Sequence, residues 1–209
     1  MCFSPVASFV AGTVLCAVGG ASIRKSPTLR EVPFAAIPLL FGVQQLTEGI
    51  VWLSLDNPAV LQVATFVFML FSHVVWPIFI PLSVALMEPV AWRRRFLYMF
   101  VGMGVVVSAY FLYFLAIEDV KTVVLNKSIL YVSPSFAVTF VLSPYSVATC
   151  ASCLLSNYQY VNLFGILTFL SAMAAYEFYD KTFVSVWCFF AAVLSVVVYL
   201  HVTRRVKTA

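Results

Sequence analysis

Long apolar runs separated by short polar breaks fill this chain from end to end. Seven runs cover residues 5–23, 33–55, 59–87, 96–117, 136–155, 161–179 and 182–203. A helix needs about 20 apolar residues to cross the hydrocarbon core of a bilayer, so each run has the length of one crossing. The breaks carry recognisable stop signals. Arg24-Lys25 closes the first run, and Asp56-Asn57-Pro58 makes a tight turn after the second, because a residue before proline is pushed out of helical geometry. Pro77 and Pro81 are expected to kink the third run or end it early. "EPVAWRRR" then reads as a basic loop. The fifth run is interrupted at Ser143-Pro144. Between runs four and five, residues 118–135 differ from the rest. There "TVVLNKSILYV" places β-branched residues on both sides of a polar tip, which predicts a hairpin or ordered loop. The pattern predicts an all-α fold, a polytopic membrane helix bundle in which residues 1–209 form one seven-helix transmembrane domain.

Composition agrees. The 209 residues are 63% hydrophobic and 10% charged, against roughly 25% charged in a soluble domain. A chain this poor in charge cannot cover a globule with polar groups, so its main partner is the lipid bilayer. The formal charge of +4 does not point to nucleic acid, because the basic residues sit in clusters between apolar runs. Alternate breaks hold Arg24, Lys25 and Arg30, then Arg93 to Arg95, then Arg204, Arg205 and Lys207, nine of the twelve basic residues. By the positive-inside rule the N-terminus is expected outside and the C-terminus cytoplasmic, which requires an odd number of crossings. The start "MCFSPVASFVAG" lacks the positive region of a cleavable signal. The expected location is the cell membrane, as a multi-pass protein.

Polar residues inside the runs are the candidate chemistry. "QQLTEGIVWL" carries Gln44, Gln45 and Glu48 on one broad helix face. A charged residue at this depth costs about 2.5 kcal/mol or more, and such residues face a cavity or a partner. Two readings stand side by side: a carboxyl that glues neighbouring helices together, and a working group in a pocket. "FSHVVWP" adds Ser72, His73 and Trp76. Pro77 lies four residues after His73 and cannot donate to its carbonyl, so a freed acceptor and a bend are expected there. A lone histidine can equally be a satisfied interhelical contact. His201, near the cytoplasmic end of the last run, is expected among the headgroups. Glu177 closes the sixth run and would sit over a pocket floored by His73, or simply belong to the interfacial belt. Cys150 and Cys153 form a C-x-x-C, but Leu154-Leu155 follow and no cation is near, so they read as inert buried thiols.

Cys2, Glu48, His73 and Cys188 all fall in the outer half by this topology. Mixed thiol, imidazole and carboxylate ligands suit zinc or copper, so these four are the candidate metal ligands. Glu48 and His73 are the candidate catalytic pair, and Gln44, Gln45, Ser72, Trp76 and Glu177 the candidate ligand contacts.

The blocks "MCFSPVASF", "VPFAAIPLLFGVQQLTEGIVWL", "FSHVVWPIFIPLSV", "ATCASCLLS" and "FVSVWCFFAAVLSVVVYLH" resemble a bacterial integral-membrane family of the DUF6629 type. The resemblance spans nearly the whole chain and implies a small multi-span protein of the bacterial inner membrane, with no catalytic residue to carry over. Seven spans, an outside N-terminus and Ser72-His73 are also loosely similar to metal-dependent lipid hydrolases of the ceramidase and adiponectin-receptor type. Those place two histidines at HxxxH spacing in the last helix, where this chain has only His201. Three functions remain open from the sequence, and the first is favoured because no internal repeat of the kind a small transporter would use is visible. One is a membrane-embedded enzyme or redox protein acting on a small molecule or lipid. The second is a transporter that uses protonation of Glu48 and His73. The third is a partner or sensor subunit, including one that forms a homo-oligomer.

Overall fold

A computed structural model describes residues 4–125, 127–133 and 144–208, the side chains of 180 and 205–208 excepted. Six helices are long and apolar enough to cross a membrane: α1 (Pro5–Arg24), α2 (Val32–Leu53), α3 (Pro58–Met87), α4 (Ala91–Ile117), α6 (Gln159–Tyr179) and α7 (Phe183–Arg204). The shorter helical stretch α5 covers 144–154. The chain is a helical membrane protein, and the expected fifth run falls partly on α5 and partly on 136–143, outside the described residues.

Local chemistry sets several of the boundaries. The Ser4 hydroxyl accepts from the Ala7 amide at 3.2 Å and Pro5 opens α1; Asn57 and Pro58 do the same for α3, the usual pairing of a side-chain cap with proline at the first helical position. α3 continues past its prolines to Met87, where the third run was expected to end, with a π-helical turn over Leu70–Val75 just before Pro77. One expectation is corrected here. α4 begins at Ala91, so Arg93 to Arg95 lie on its first turns rather than in a loop.

Small residues bring the helices together. Phe9, Gly12, Cys16 and Gly19 on α1 face Gly49, Leu46, Gly42 and Leu39 on α2. Each step of three or four residues up α1 is matched by the same step down α2, which is an antiparallel seam of glycines against larger side chains. In lipid such a seam replaces the hydrophobic effect with close packing. On α4, Gly104, Val107, Ser108, Phe111 and Leu115 form the buried stripe.

Cross-contacts define two ends of the bundle. At one, Lys25 Nζ donates to the Tyr199 hydroxyl at 2.8 Å, and the Asn157 and Val90 amides donate to the Glu88 carboxylate at 2.9 and 3.2 Å. At the other, β1 (Lys121–Leu125) and β2 (Ser128–Val132) form an antiparallel hairpin. Ser133 there donates to Glu118. Ser133 thus lies at the hairpin end and Asn157 at the basic end.

The hairpin is docked, not loose. Ile129 is fully buried in a cluster with Val51 and Ala64. Tyr131 stacks on Phe68 with ring centroids 4.8 Å apart, and the Thr65 and Thr122 hydroxyls share a hydrogen bond of 2.7 Å. Its turn holds Lys127 at φ 61°, a left-handed conformation that favours glycine. Lys127→Gly is expected to stabilise the hairpin by ~0.5–1 kcal/mol. Amide exchange at Val123 and Leu130 should slow accordingly; faster exchange would mean the lysine side chain contributes more than its backbone costs.

Candidate functional site

The site grows from α2. Gln44, Gln45 and Glu48 are all fully shielded, as their shared helix face requires. Glu48 accepts from the Ser185 hydroxyl of α7 at 2.6 Å. Gln44 accepts from the Trp76 indole of α3 at 2.7 Å, and Trp76 is stacked on Phe41 at 3.8 Å. Cys188, one turn beyond Ser185, lies against Gln44 and close to Glu48. Among the described residues neither end of the Gln45 amide has a hydrogen-bond partner, which is costly at such depth.

The second half of the site comes from a change of helical register. Residues Leu70–Val75 of α3 form a π-helical turn, in which the Trp76 amide donates to the Phe71 carbonyl five residues back. The next residue in that register is Pro77, which has no N–H for the carbonyl of Ser72. That carbonyl instead accepts from the Tyr145 hydroxyl of α5 at 2.7 Å. The Val74 carbonyl accepts from Ser108 of α4, also at 2.7 Å. The widened turn thus adds the Ser72 carbonyl, served from outside α3, to the His73 carbonyl that helical spacing alone singles out. Within the turn, the Ser72 hydroxyl and His73 Nδ1 are 2.7 Å apart, and the imidazole meets the Phe111 ring edge-on at 4.6 Å. A second π-helical turn, Val147–Ala151, lies in α5. Such turns often mark functional sites.

Two small chambers lie among these groups. One, about 20 Å³, is lined by residues that include Ser72, His73, Phe111, Tyr145 and Cys188. The other, about 30 Å³, has Trp76, Tyr145, Thr149, Trp187 and Cys188 in its wall. Each is large enough for a water molecule or two and too small for an organic ligand. Tyr145, Trp187 and Cys188 belong to both walls, and Cys188, lying against Gln44, ties them to the Glu48 half. The hairpin closes the site from its end, since Phe68, Tyr131, Val184 and Cys188 pack in one cluster.

The fold does not gather every candidate. Glu177 is exposed on an outward-facing groove, not above His73. Cys2 lies outside the described residues. Among the described residues no three His, Cys, Asp or Glu side chains are grouped to hold a metal ion. Cys150 and Cys153 are both buried free thiols. His201 is not among headgroups: it is buried, its Nε2 lies 3.9 Å from Glu31, and Phe34 and Tyr158 meet its ring edge-on. The two histidines thus serve different ends of the bundle, which removes the geometric basis for the hydrolase likeness.

Ser185, Tyr145, Ser108, Thr149 and Trp187 are site residues that the pattern of apolar runs passed over. Ser185 had a signal: it sits three residues before Cys188 and therefore on the same face.

A family model matches residues 1–209, and its description is a family of unknown function, DUF6629. The chain belongs to this family. No curated protein and no solved structure matches it. The family therefore assigns no role to Glu48 or His73, and the site must be read from its own chemistry.

Proposed function

We propose that the protein is a proton-coupled carrier of the cell membrane, with Glu48 and His73 as the groups that take up and release protons. In this reading seven segments cross, the N-terminus is outside, and the basic end is cytoplasmic. The observation that carries the reading is the neighbouring pair of water-sized chambers, with Tyr145, Trp187 and Cys188 in both walls. One is lined by the Ser72-bonded imidazole of His73, and Cys188, in both walls, lies close to the Ser185-bonded carboxyl of Glu48. Water in such chambers satisfies buried polar groups and relays protons between them. Ionisable side chains at membrane depth typically mark ion pathways and proton relays. A carrier must also move. The π-helical turn beside Pro77 supplies a place where α3 can exchange one backbone register for another, turning His73 relative to Glu48.

Liposomes holding the purified protein and an internal pH-sensitive dye test this. An imposed pH gradient is expected to collapse faster than in protein-free liposomes. Glu48→Gln should return the rate to the protein-free value, and Ser185→Ala should slow it while leaving expression unchanged. A wild-type rate equal to that of empty liposomes, or full activity in Glu48→Gln, would remove the carrier reading.

A further inference from the structure

The outward-facing groove that holds Glu177 is an open space of about 660 Å³ between α5 and α6. Its floor is apolar: Val147 and Leu154 from α5, Ile166, Phe169, Leu170 and Met173 from α6. Its polar members Ser146, Tyr176 and Glu177 gather at the hairpin end, since α5 starts and α6 finishes there. From Ile166 to Tyr176 the groove runs about 15 Å by helical rise, the reach of a medium-length alkyl chain.

Two further observations give this groove a ligand and a route. Phe183 is a wall of the groove and also a wall of the Ser72–His73 chamber. The ring is buried, with its centroid 5.2 Å from that of Trp187, so a single aromatic side chain separates lipid-accessible space from the buried site. The second observation is charge. Among the described residues no lysine or arginine lines the groove or either chamber, whereas Glu177 stands at the mouth and Phe41, Trp76, Tyr145, Phe164 and Trp187 line the interior. A negative mouth leading to an aromatic interior favours a cation, which the ring faces attract.

We propose that this groove binds a single-chain amphiphile with an amine head, drawn from the bilayer, and that Phe183 is the partition it must displace to reach His73. The proposal names the substrate class of the carrier read above and rests on that reading. Its test needs no proton gradient, so the two can fail separately.

Protein in nanodiscs of zwitterionic lipid is titrated with dodecylamine brominated at the chain terminus, and tryptophan quenching is recorded. Dodecanol and dodecanoate with the same bromine serve as controls. Saturable quenching is expected with the amine, weaker saturable quenching with the alcohol, and none with the carboxylate. Trp187→Phe should remove most of the saturable signal. Ala151→Phe, which places a ring on the groove wall, should abolish saturation. Glu177→Gln should leave binding but cut the preference of amine over alcohol by about fivefold, the scale of one partly exposed ion pair. Equal, non-saturable quenching by all three heads would show ordinary lipid contact and overturn the proposal. So would undiminished saturation in Ala151→Phe. If that variant misfolds, an unchanged head preference in Glu177→Gln overturns it instead. Amine binding without proton flux would leave the groove and remove the carrier; flux without amine binding would do the reverse.

Discussion

Gly104→Ala is expected to lower the stability of the protein by about 3 kcal/mol, an overpacking cost at the upper end of the usual range. A Cβ on residue 104 would fall on the carbonyl oxygen of Pro77, far inside contact distance, with Pro77 C and Ile78 N behind it. All three are backbone atoms, so no side chain can swing aside. α4 would have to withdraw from α3, and the hydrogen bond from Ser108 to Val74 would lengthen with it. Alanine gains up to about 1 kcal/mol over glycine in a helix interior, so the packing cost must exceed that gain before any loss is seen. Gly102 supplies the internal control. It lies on the same helix, yet a Cβ there meets nothing within 4 Å, so Gly102→Ala should be neutral or slightly stabilising. Thermal unfolding in detergent separates the two. Equal effects would mean that α3 and α4 do not approach as described.

Tyr145→Phe is the second large effect. It removes the hydroxyl that serves the Ser72 carbonyl, and a buried acceptor left unsatisfied costs about 1–3 kcal/mol. The same loss should be much smaller in a Pro77→Ala background. Alanine restores a backbone N–H, and the turn can then close in either the π or the α register, so Ser72 gains a main-chain donor in both. The double-mutant cycle is expected to show coupling of 0.5 kcal/mol or more between positions that are not neighbours in sequence. Strict additivity would show that Tyr145 does not compensate for the proline.

Those two residues also mark where the sequence stops being legible. Glu48 with Gln44 and Gln45 was readable because helical spacing forces them onto one face and burial cost forces that face inward. The hairpin was readable from β-branched flanks around a polar tip, and the starts of α1 and α3 from where their apolar runs begin. The π-helical turn was not. Pro77 signals a missing donor, but whether the helix kinks or widens by a residue depends on a hydroxyl arriving from α5. His201 misled for a related reason. At a helix end it resembles an interfacial residue, and only the return of the chain between α1 and α2 brings Glu31 to it. Arg93 to Arg95 looked like a loop because charge breaks an apolar pattern, yet long basic side chains are comfortable on a first helical turn that leaves the membrane.

The glycine seam between α1 and α2 bears on how the protein is made. The two helices are joined by only seven residues, 25–31, and they carry complementary surfaces, Gly12 and Gly19 on one and Gly42 and Gly49 on the other. The opposite side of α1, with Val6, Val10 and Val14, is exposed and suited to lipid. Everything this pair needs in order to close is therefore present once residue 53 has been synthesised. The pair can leave the insertion machinery as a closed hairpin, with Glu48 already turned away from lipid toward the place that α3 and α7 later fill. A chain with a carboxyl in its second span gains from this order of assembly, because the costly residue is screened by α1 on one flank before its final partner, Ser185, exists.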